Sequence, residues 1–396
     1  MTTQRLLLLV PSLVEGFGGT QRMVHSLAQL LAAPERQVFL ASFDPALPRP
    51  GVASTYLIGP IPRLPLALRP FAYALAAWRL GRLKKKLKID ITISNLWGAD
   101  LISVLSGGHD RKIALCHINI VGNPINRLMV SFRPLVAQIY RRLDRVVTVS
   151  EPLAGEVAAL YRLAPGRITH IENFVEAKRT VSRLPSDGLQ RFIWCGRLSS
   201  EKNLEGLLQA WSCFIKGRSG VQLIFLGEGP LLDRLLRLAA DLRLRIGYRV
   251  EDPQAEVVFV GRVADPAAYM TGARALVLSS YAEGLPMVIL EAMSLGVPVL
   301  ASDCRGGGVR AAMIGEGVCD PDRVLAEYTP VGALLPVPAA SFPTSLAVWR
   351  EALGKTLEDD VLWSHWREGS LARGARFTSE AALSRWLHAI RFDVAP

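Results

Sequence analysis

The sequence predicts an α/β protein with two domains, each built around a sheet of parallel strands. The first observation is its length, because 396 residues exceed what a single hydrophobic core usually organises. The second is that short apolar runs, such as residues 6–10 and 275–278, alternate along the chain with segments of helical apolar spacing. The third is that this alternation continues through both halves. Strands that alternate with helices form parallel sheets with right-handed crossovers.

The composition is that of a soluble globular protein, with half of the residues hydrophobic and a fifth charged. The formal net charge of +11 favours acidic partners, such as nucleotide phosphates, anionic lipid headgroups or nucleic acid. We do not expect a nucleic-acid partner, because the basic residues are spread over many segments and form no reading motif.

The cysteines and the apolar runs bear on localisation. Five cysteines are scattered without a Cys-x-x-Cys pair, which argues against a disulfide framework or a zinc site and fits a reducing cytosol. Residues 5–11 resemble a signal peptide only superficially, because their apolar core is short and Glu15 and a glycine loop follow at once. No apolar run reaches the roughly 20 residues that span a bilayer. We therefore predict a cytoplasmic protein.

A glycine loop and a histidine follow strands in the first half. Strands are predicted there at residues 6–10, 38–42, 90–94, 113–117 and 145–150, and a short strand and turn at residues 168–174. Residues 16–22, Gly-Phe-Gly-Gly-Thr-Gln-Arg, follow the first strand, and a helix is predicted from Met23. Gly18 and Gly19 would let the backbone approach a ligand, and the helix start favours a phosphate, although a plain turn is the alternative. The spacing fits neither a P-loop nor a dinucleotide fingerprint. His117 ends its strand where ligands gather in open α/β sheets, although a lone histidine is more often structural.

A basic helix is predicted over residues 71–88, after a proline-rich loop at residues 45–70. Its last turns are crowded with cations: Arg79, Arg82, Lys84, Lys85, Lys86 and Lys88. One interpretation is a solvated basic face that complements the helix dipole. The other is a membrane-surface helix whose lysines meet anionic lipid.

The second half repeats the pattern after a polar linker predicted at residues 178–188. A strand at residues 192–195 leads through a Gly-Arg turn and a polar loop into a helix from Leu204. Arg197 and Lys202 would lie near the strand end and the helix start, where two cations can hold a diphosphate and stabilise the charge that develops as it leaves. An exposed basic loop is the alternative. Further strands are predicted at residues 221–226, 257–260, 275–278 and 297–301.

The stretch from Ser279 to Met293 concentrates polar groups around a helix start. Glu283 lies in the loop before the helix, Pro286 suits its first position, and Glu291 lies in its second turn. The free N–H groups of such a start favour an anion, while carboxylates beside it can take sugar hydroxyls. Two ordinary surface glutamates are the alternative.

These motifs together resemble the retaining GT-B glycosyltransferases of glycosyltransferase family four, which includes hexosyltransferases of bacterial envelope glycan assembly. The resemblance covers nearly the whole chain. It is strongest from Phe192 to Cys304, in Gly-Arg-Leu-x-x-Glu-Lys-Asn, Leu-Gly-Glu-Gly-Pro and the Glu-x7-Glu pair that begins at Glu283. The resemblance implies the GT-B fold, in which two Rossmann-like domains face each other across a cleft and a C-terminal helix returns to the N-domain. We place the acceptor domain at residues 1–180, the nucleotide-sugar domain at 189–372 and the returning helix at 373–396.

The resemblance also implies roles for single residues. Glu283 would bind hydroxyls of the donor sugar, and Glu291 would bind the ribose. Arg197 and Lys202 would neutralise the leaving diphosphate, and His117 would orient the transferred sugar. The remaining predicted donor-binding positions are Gly18, Gly19, Val263, Gly284, Leu285, Pro286 and Met287.

The chain departs from the family pattern in two places. The glycine-rich turn after Asp303 is followed by Arg310 where relatives often carry glutamate, which leaves the role of that loop open. Gln21 stands where many relatives carry glutamate, which could alter acceptor or domain contacts.

The function implied by the resemblance is retaining, metal-independent transfer of a hexosyl unit from a UDP- or GDP-sugar to an acceptor hydroxyl, with no cofactor. The expected acceptor is a lipid-linked saccharide of lipopolysaccharide, capsule or exopolysaccharide assembly. The basic helix would then hold the protein peripherally on the inner membrane face. The alternatives are a non-catalytic nucleotide- or lipid-binding protein on the same fold and a glycosyl phosphorylase-like enzyme.

Overall fold

The computed structural model describes residues 3–11, 18–43, 52–59, 69–117, 133–176, 180–315 and 318–391. Its chain divides into two compact units. Within the described residues, the first unit runs up to Asn173 and resumes at Ser379, and the second runs from Phe174 to Thr378.

The first unit is a seven-stranded parallel sheet in the order β3-β2-β1-β4-β5-β6-β7. Its central strands read as unbroken apolar runs because helices cover both faces; Leu6 to Leu9 are fully buried. The strands are β1 Gln4–Val10, β2 Arg36–Ser42, β3 Ser54–Leu57, β4 Ile91–Asn95, β5 Arg111–Cys116, β6 Arg145–Thr148 and β7 Ile168–His170. The helices between them are α1 Gly18–Leu31, α2 Arg69–Leu87, α3 Trp97–Leu105, α4 Arg133–Tyr140 and α5 Glu151–Tyr161.

Several elements of this unit differ from the sequence prediction. Strand β3 lies inside the segment predicted as a proline-rich loop, and α3 and α4 were not predicted. Helix α1 begins at Gly18 rather than Met23, so the two glycines are its first residues. Ser150 stands at the N-cap of α5 as its position suggests, but its hydroxyl makes no capping hydrogen bond.

The second unit is an eight-stranded sheet in the order β10-β11-β9-β8-β12-β13-β15-β14. Its strands are β8 Gln190–Cys195, β9 Val221–Leu226, β10 Ile246–Gly247, β11 Val257–Gly261, β12 Ala275–Leu278, β13 Val299–Ser302, β14 Glu327–Thr329 and β15 Gly332–Leu335. Its helices are α6 Leu204–Ile215, α7 Leu232–Asp241, α8 Pro266–Met270, α9 Met287–Ser294, α10 Gly308–Met313, α11 Pro343–Glu358 and α12 Asp360–Gly374. The expectation of a wholly parallel sheet is wrong at one edge, because β14 pairs antiparallel with β15.

Large aromatic side chains fill the core of the second unit. Trp194, Trp211, Phe214 and Phe225 are fully buried within one hydrophobic cluster. Phe192 meets Trp211 edge to face, with the ring centroids 5.6 Å apart. Such pairs add to the free energy gained from burying their area.

Both sheets have a Rossmann-like strand order, in which the first strand lies in the interior and the chain winds outward on both sides of it. The winding direction therefore reverses between β1 and β4 in the first unit, and between β8 and β12 in the second. Open α/β sheets bind ligands at the carboxyl ends of the strands at such a switch point. We therefore expect functional residues in the loops after these four strands.

The last helix, α13 Ser379–Arg391, packs on the first unit as the resemblance implies. Its buried face includes Trp386 and Ile390. Arg111 of β5 donates to the carbonyl oxygen of Ile390 at 2.9 Å, and Arg385 pairs with Glu172 at 3.0 Å. Among the helices described, none is both long and apolar enough to cross a membrane.

Candidate active site

An ion pair joins the two strands of the switch point in the second unit. Lys202 follows β8 and Glu283 follows β12, and the Lys202 Nζ atom lies 2.8 Å from Glu283 Oε1. The hydroxyl of Ser280 donates to the same carboxylate oxygen at 2.6 Å. The structure thus brings together two residues that the sequence predicted for one site from positions 81 apart.

The environment keeps Lys202 positively charged. Burial works to lower the pKa of Lys202, but the charge of Glu283 and the hydrogen bond to it outweigh burial, and the pKa is raised above its ordinary value. An ammonium group has three N–H donors, and the contact with Glu283 occupies one. The site therefore presents a permanent cation next to a carboxylate.

Backbone and side-chain hydrogen bonds fix the two loops to each other. The hydroxyl of Ser279 donates to the carbonyl oxygens of Lys202 and Asn203, at 2.9 and 3.0 Å. The backbone N–H of Tyr281 donates to the carbonyl oxygen of Glu201 at 3.0 Å. The short polar segments after β8 and β12 consequently behave as one structural piece.

The glycine-rich loop after β13 supports the turn that carries Glu283. The backbone N–H of Glu283 donates to the carbonyl oxygen of Arg305 at 3.0 Å. Gly308 lies so close to Gly284 that a Cβ atom on Gly308 would stand 1.6 Å from the Gly284 carbonyl oxygen. The loop whose role the sequence left open is thus a backbone support for the Glu283 turn.

Arg310, which stands where relatives often carry glutamate, takes part in a network of ion pairs. Its guanidinium lies 2.7 Å from Asp303, which is fully buried, and 2.6 Å from Glu327. Arg323 contacts the same two carboxylates, so two arginines and two acids neutralise one another. The pKa of Arg310 is raised even though burial opposes it, because Glu327 and Asp303 hydrogen-bond to the charged form.

Helix α9 begins one residue later than predicted. Pro286 occupies the N-cap and Met287 is the first helical residue. Gly284, Leu285, Pro286 and Met287 are all buried. Glu291 lies half-buried in the second turn, as predicted, and Gly296 follows the helix in the left-handed conformation, with φ of 69°.

Arg197 and Val263 lie in loops of the same unit. Arg197 lies just after β8 and is exposed. The turn that carries it packs against the turn after β9, where a Cβ atom on Gly227 would stand 1.8 Å from the Gly196 carbonyl oxygen. Val263 is half-buried, two residues beyond the end of β11. Their predicted contacts with a diphosphate and a base stay predictions.

In the first unit, His117 is held next to the corresponding switch point, through a contact with the end of β4. His117 follows β5 and is buried, with Nε2 2.9 Å from Oδ1 of Asn95 at the end of β4. The Asn95 Nδ2 atom donates to the carbonyl oxygen of Leu9 in β1 at 3.2 Å. Burial lowers the pKa of His117 to about 4. The ring is therefore neutral at pH 7.

Gly18 and Gly19 are the first two residues of α1. The first N–H groups of a helix lack partners within it, and the first turn of α1 carries no acidic residue. That arrangement is compatible with the predicted phosphate contact. Gly16, like the rest of residues 12–17, lies outside the described residues.

A buried carboxyl group contacts Ser94, the residue that precedes Asn95. Asp100 of α3 is fully buried and accepts hydrogen bonds from Ser94 at 2.6 Å and Tyr140 at 3.0 Å. Burial raises the pKa of Asp100 to about 7. Tyr140 in turn stacks on Tyr161 with centroids 4.5 Å apart.

Two residues of these sites were missed by the sequence analysis. Ser280 stands beside Glu283, and Asn95 stands beside His117. Both come at or directly after the carboxyl end of a strand, which was the signal used for His117 itself. An Asp-x-Asp triplet, residues 320–322, is exposed before β14, and no group of residues suited to a metal ion occurs in the described part of the chain.

Comparison with known families agrees with this architecture. The sequence model of the family described as Glycosyltransferase Family 4 matches residues 17–179. The sequence model of the family described as Glycosyl transferases group 1 matches residues 190–329. Between them they match most of the chain.

Individual relatives point the same way. A glycosyltransferase of Haemophilus influenzae is 26% identical over 73% of this chain and 78% of its own length. The amylovoran biosynthesis glycosyltransferase AmsD of Erwinia amylovora is 24% identical over 76% of this chain and 82% of its own. The N-acetylgalactosamine-N,N'-diacetylbacillosaminyl-diphospho-undecaprenol 4-alpha-N-acetylgalactosaminyltransferase of Campylobacter jejuni is 24% identical over 47% of this chain, and the match spans about half of that enzyme (48%).

The fold is shared with solved structures. The crystal structure of Anabaena Alr3699/HepE in complex with UDP and glucose matches with a TM-score of 0.75 at 15% identity, over 98% of this chain and 99% of that chain. Two Rossmann-like units with a C-terminal helix on the first therefore define a GT-B protein. The chain belongs to the family-four type of glycosyltransferases and has relatives in envelope polysaccharide synthesis.

Proposed function

We propose that the protein transfers a hexosyl unit from a nucleoside-diphosphate sugar to an acceptor hydroxyl with retention of anomeric configuration. The observation that carries this proposal is the Lys202–Glu283 pair at the switch point of the second unit. A cation and a carboxylate 2.8 Å apart match a donor whose diphosphate and sugar hydroxyls adjoin each other. A UDP-sugar is the favoured donor, because the similar HepE structure contains UDP and glucose.

The proposed roles follow from the chemistry of each group. Lys202 neutralises the diphosphate as it leaves, with Arg197 as a second cation. Glu283 accepts hydrogen bonds from sugar hydroxyls, and Glu291 accepts them from the ribose. Glu283 is poorly suited to act as a nucleophile, because one of its oxygens already accepts hydrogen bonds from Lys202 and Ser280.

The reaction then needs no covalent enzyme intermediate. The acceptor oxygen forms a bond to the anomeric carbon on the face from which the diphosphate departs. The bond between the anomeric carbon and the diphosphate oxygen breaks, and its electron pair stays on the diphosphate. The acceptor proton passes to a diphosphate oxygen, so the products are the glycoside and the nucleoside diphosphate. Positioning and charge stabilisation supply the rate without a metal ion.

A donor panel tests the proposal. The protein is incubated with UDP-, GDP- and dTDP-hexoses, and release of nucleoside diphosphate is measured beside thermal stabilisation. We expect one nucleotide class to stabilise the protein and to be slowly hydrolysed without acceptor. The proposal would be contradicted if a Lys202→Met, Glu283→Gln double variant released nucleoside diphosphate as fast as the wild-type protein does.

We further propose a lipid-linked saccharide as acceptor and α2 as the surface that meets the membrane. One face of α2 is exposed along its length: Phe71, Leu75 and Trp78 are 76%, 46% and 57% exposed, and Arg79, Arg82, Lys85 and Lys86 follow them. Apolar groups at one end and cations at the other suit an interface with anionic lipid. The acceptor class is favoured by the diphospho-undecaprenol named in the similar Campylobacter enzyme.

The structure corrects one detail of the basic helix. Lys84 does not belong to the solvated face, because it is buried and its Nζ atom lies 2.8 Å from Asp110. Burial lowers the pKa of Lys84 to about 8 although Asp110 opposes the shift. Lys84 thus anchors α2 to the rest of its unit, while its neighbours Lys85 and Lys86 are exposed.

Vesicle binding tests the membrane surface. We expect wild-type protein to bind vesicles that contain phosphatidylglycerol more tightly than neutral ones. A triple variant, Phe71→Ser, Leu75→Ser, Trp78→Ser, should lose binding to both vesicle types. A Lys85→Gln, Lys86→Gln variant should lose only the preference for anionic lipid. Equal binding to both vesicle types by wild-type protein would refute this use of α2.

A further inference from the structure

A short hydrogen-bonded chain crosses the switch point of the first unit. It runs from the Leu9 carbonyl oxygen in β1 through the side chain of Asn95 in β4 to the ring of His117 beyond β5. Asn95 is fully buried and His117 nearly so, so solvent does not compete for these contacts. The three residues come from three adjacent strands of the sheet.

The chain has a fixed direction. A carbonyl oxygen can only accept a hydrogen bond, so the Asn95 atom 3.2 Å from Leu9 must be the amide nitrogen. The amide oxygen is therefore the atom 2.9 Å from His117 Nε2. Because that oxygen also can only accept, Nε2 must carry the hydrogen.

The consequence concerns the other ring nitrogen. A neutral imidazole carries one N–H, so Nδ1 is left as an acceptor. The low pKa of His117 agrees with a ring that stays neutral at pH 7. A sugar hydroxyl that meets Nδ1 must then donate to it.

We propose that Asn95 is a positioning residue that holds His117 in its Nε2–H tautomer, so that Nδ1 accepts a hydrogen bond from a hydroxyl of the transferred sugar. The contact with the sugar rests on the proposed function, whereas the tautomer does not. Asn95 acts only through His117.

The tautomer is measured directly by long-range ¹H–¹⁵N NMR at pH 7, with the His117 signals identified by their loss in a His117→Gln variant. The expected wild-type spectrum has a protonated Nε2 and an unprotonated Nδ1. Asn95→Ala should introduce the Nδ1–H tautomer or a protonated ring, whereas the neighbouring Ser94→Ala should leave the pattern unchanged. A wild-type Nδ1–H tautomer or imidazolium, or a tautomer unchanged in a folded Asn95→Ala protein, would overturn the proposal. If Asn95→Ala does not fold, the wild-type spectrum decides the matter.

Kinetics test the link to the sugar with the donor that the panel identifies. Asn95→Ala should lower kcat/KM for the nucleotide sugar at least tenfold but change the affinity for the free nucleoside diphosphate less than twofold. Equal losses for both ligands would overturn the role in sugar contact. If wild-type protein binds no nucleotide sugar, the proposed function fails while the tautomer result stands by itself.

Discussion

Replacing Gly308 with alanine tests whether the glycine-rich loop supports the Glu283 turn. The added Cβ would stand 1.6 Å from the Gly284 carbonyl oxygen, about 2 Å closer than ordinary van der Waals contact. The obstacle is backbone rather than a flexible side chain, so the two loops must separate. We expect a loss of about 3 kcal/mol in the free energy of unfolding, at the upper end for an overpacked site.

The effect on activity should exceed the effect on stability. A displacement of about 1 Å at a catalytic group costs roughly 100-fold in rate, and Gly284 adjoins Glu283. Gly308→Ala should therefore lower kcat/KM for the nucleotide sugar about 100-fold and lower the Tm by about 6–12 °C. Activity is assayed as release of nucleoside diphosphate well below the Tm, and the Tm is measured by scanning calorimetry.

Gly155→Ala is the matched control. Gly155 lies within helix α5, and a Cβ there would meet nothing within 4 Å. We expect unchanged activity and a gain of about 0.5–1 kcal/mol, because alanine favours a helix more than glycine does. Wild-type activity in Gly308→Ala would refute the support that we assign to this loop.

Two further predictions concern buried charges. The folded-state pKa of Asp100, about 7, exceeds the ordinary value of 3.8, so the folded state holds an extra proton between these values and its contribution to stability falls as pH rises through them. The free energy of urea unfolding of the wild-type protein should therefore decrease by up to about 4 kcal/mol between pH 4 and pH 7. Asp100→Asn should abolish this decrease, and an identical pH slope in both proteins would contradict the prediction. Arg310→Ala should lower the free energy of unfolding by about 3 kcal/mol, because Asp303 is fully buried and, among the described residues, then keeps Arg323 as its one cationic partner. No loss relative to the exposed-site control Arg376→Ala would contradict the network.

The fold was largely predictable because buried parallel strands appear as continuous apolar runs. β3 escaped prediction because it is a short, half-exposed edge strand of mixed polarity, Ser-Thr-Tyr-Leu. Helix α3 was missed where Leu96 precedes it with a positive φ of 70°, a conformation that no sequence motif announces. The antiparallel β14 is three residues long, too short for a periodic signal.

The site was predicted as residues but not as geometry. Each strand end could be located from its own apolar run, whereas the pairing of Lys202 with Glu283 depends on β8 lying beside β12. Strand order is a property of the whole sheet. Lys84 shows the same limit, because only the fold brings it to Asp110 and removes it from the basic face.

The most direct test of the central claim is calorimetric binding of a nucleoside diphosphate, with donor turnover measured in parallel. Wild-type protein should bind the diphosphate of its donor, Glu291→Ala should weaken that binding at least tenfold, and Lys202→Met should chiefly lower turnover, by about 100-fold or more. Wild-type binding and turnover in both variants would contradict the assignment of this switch point as the donor site.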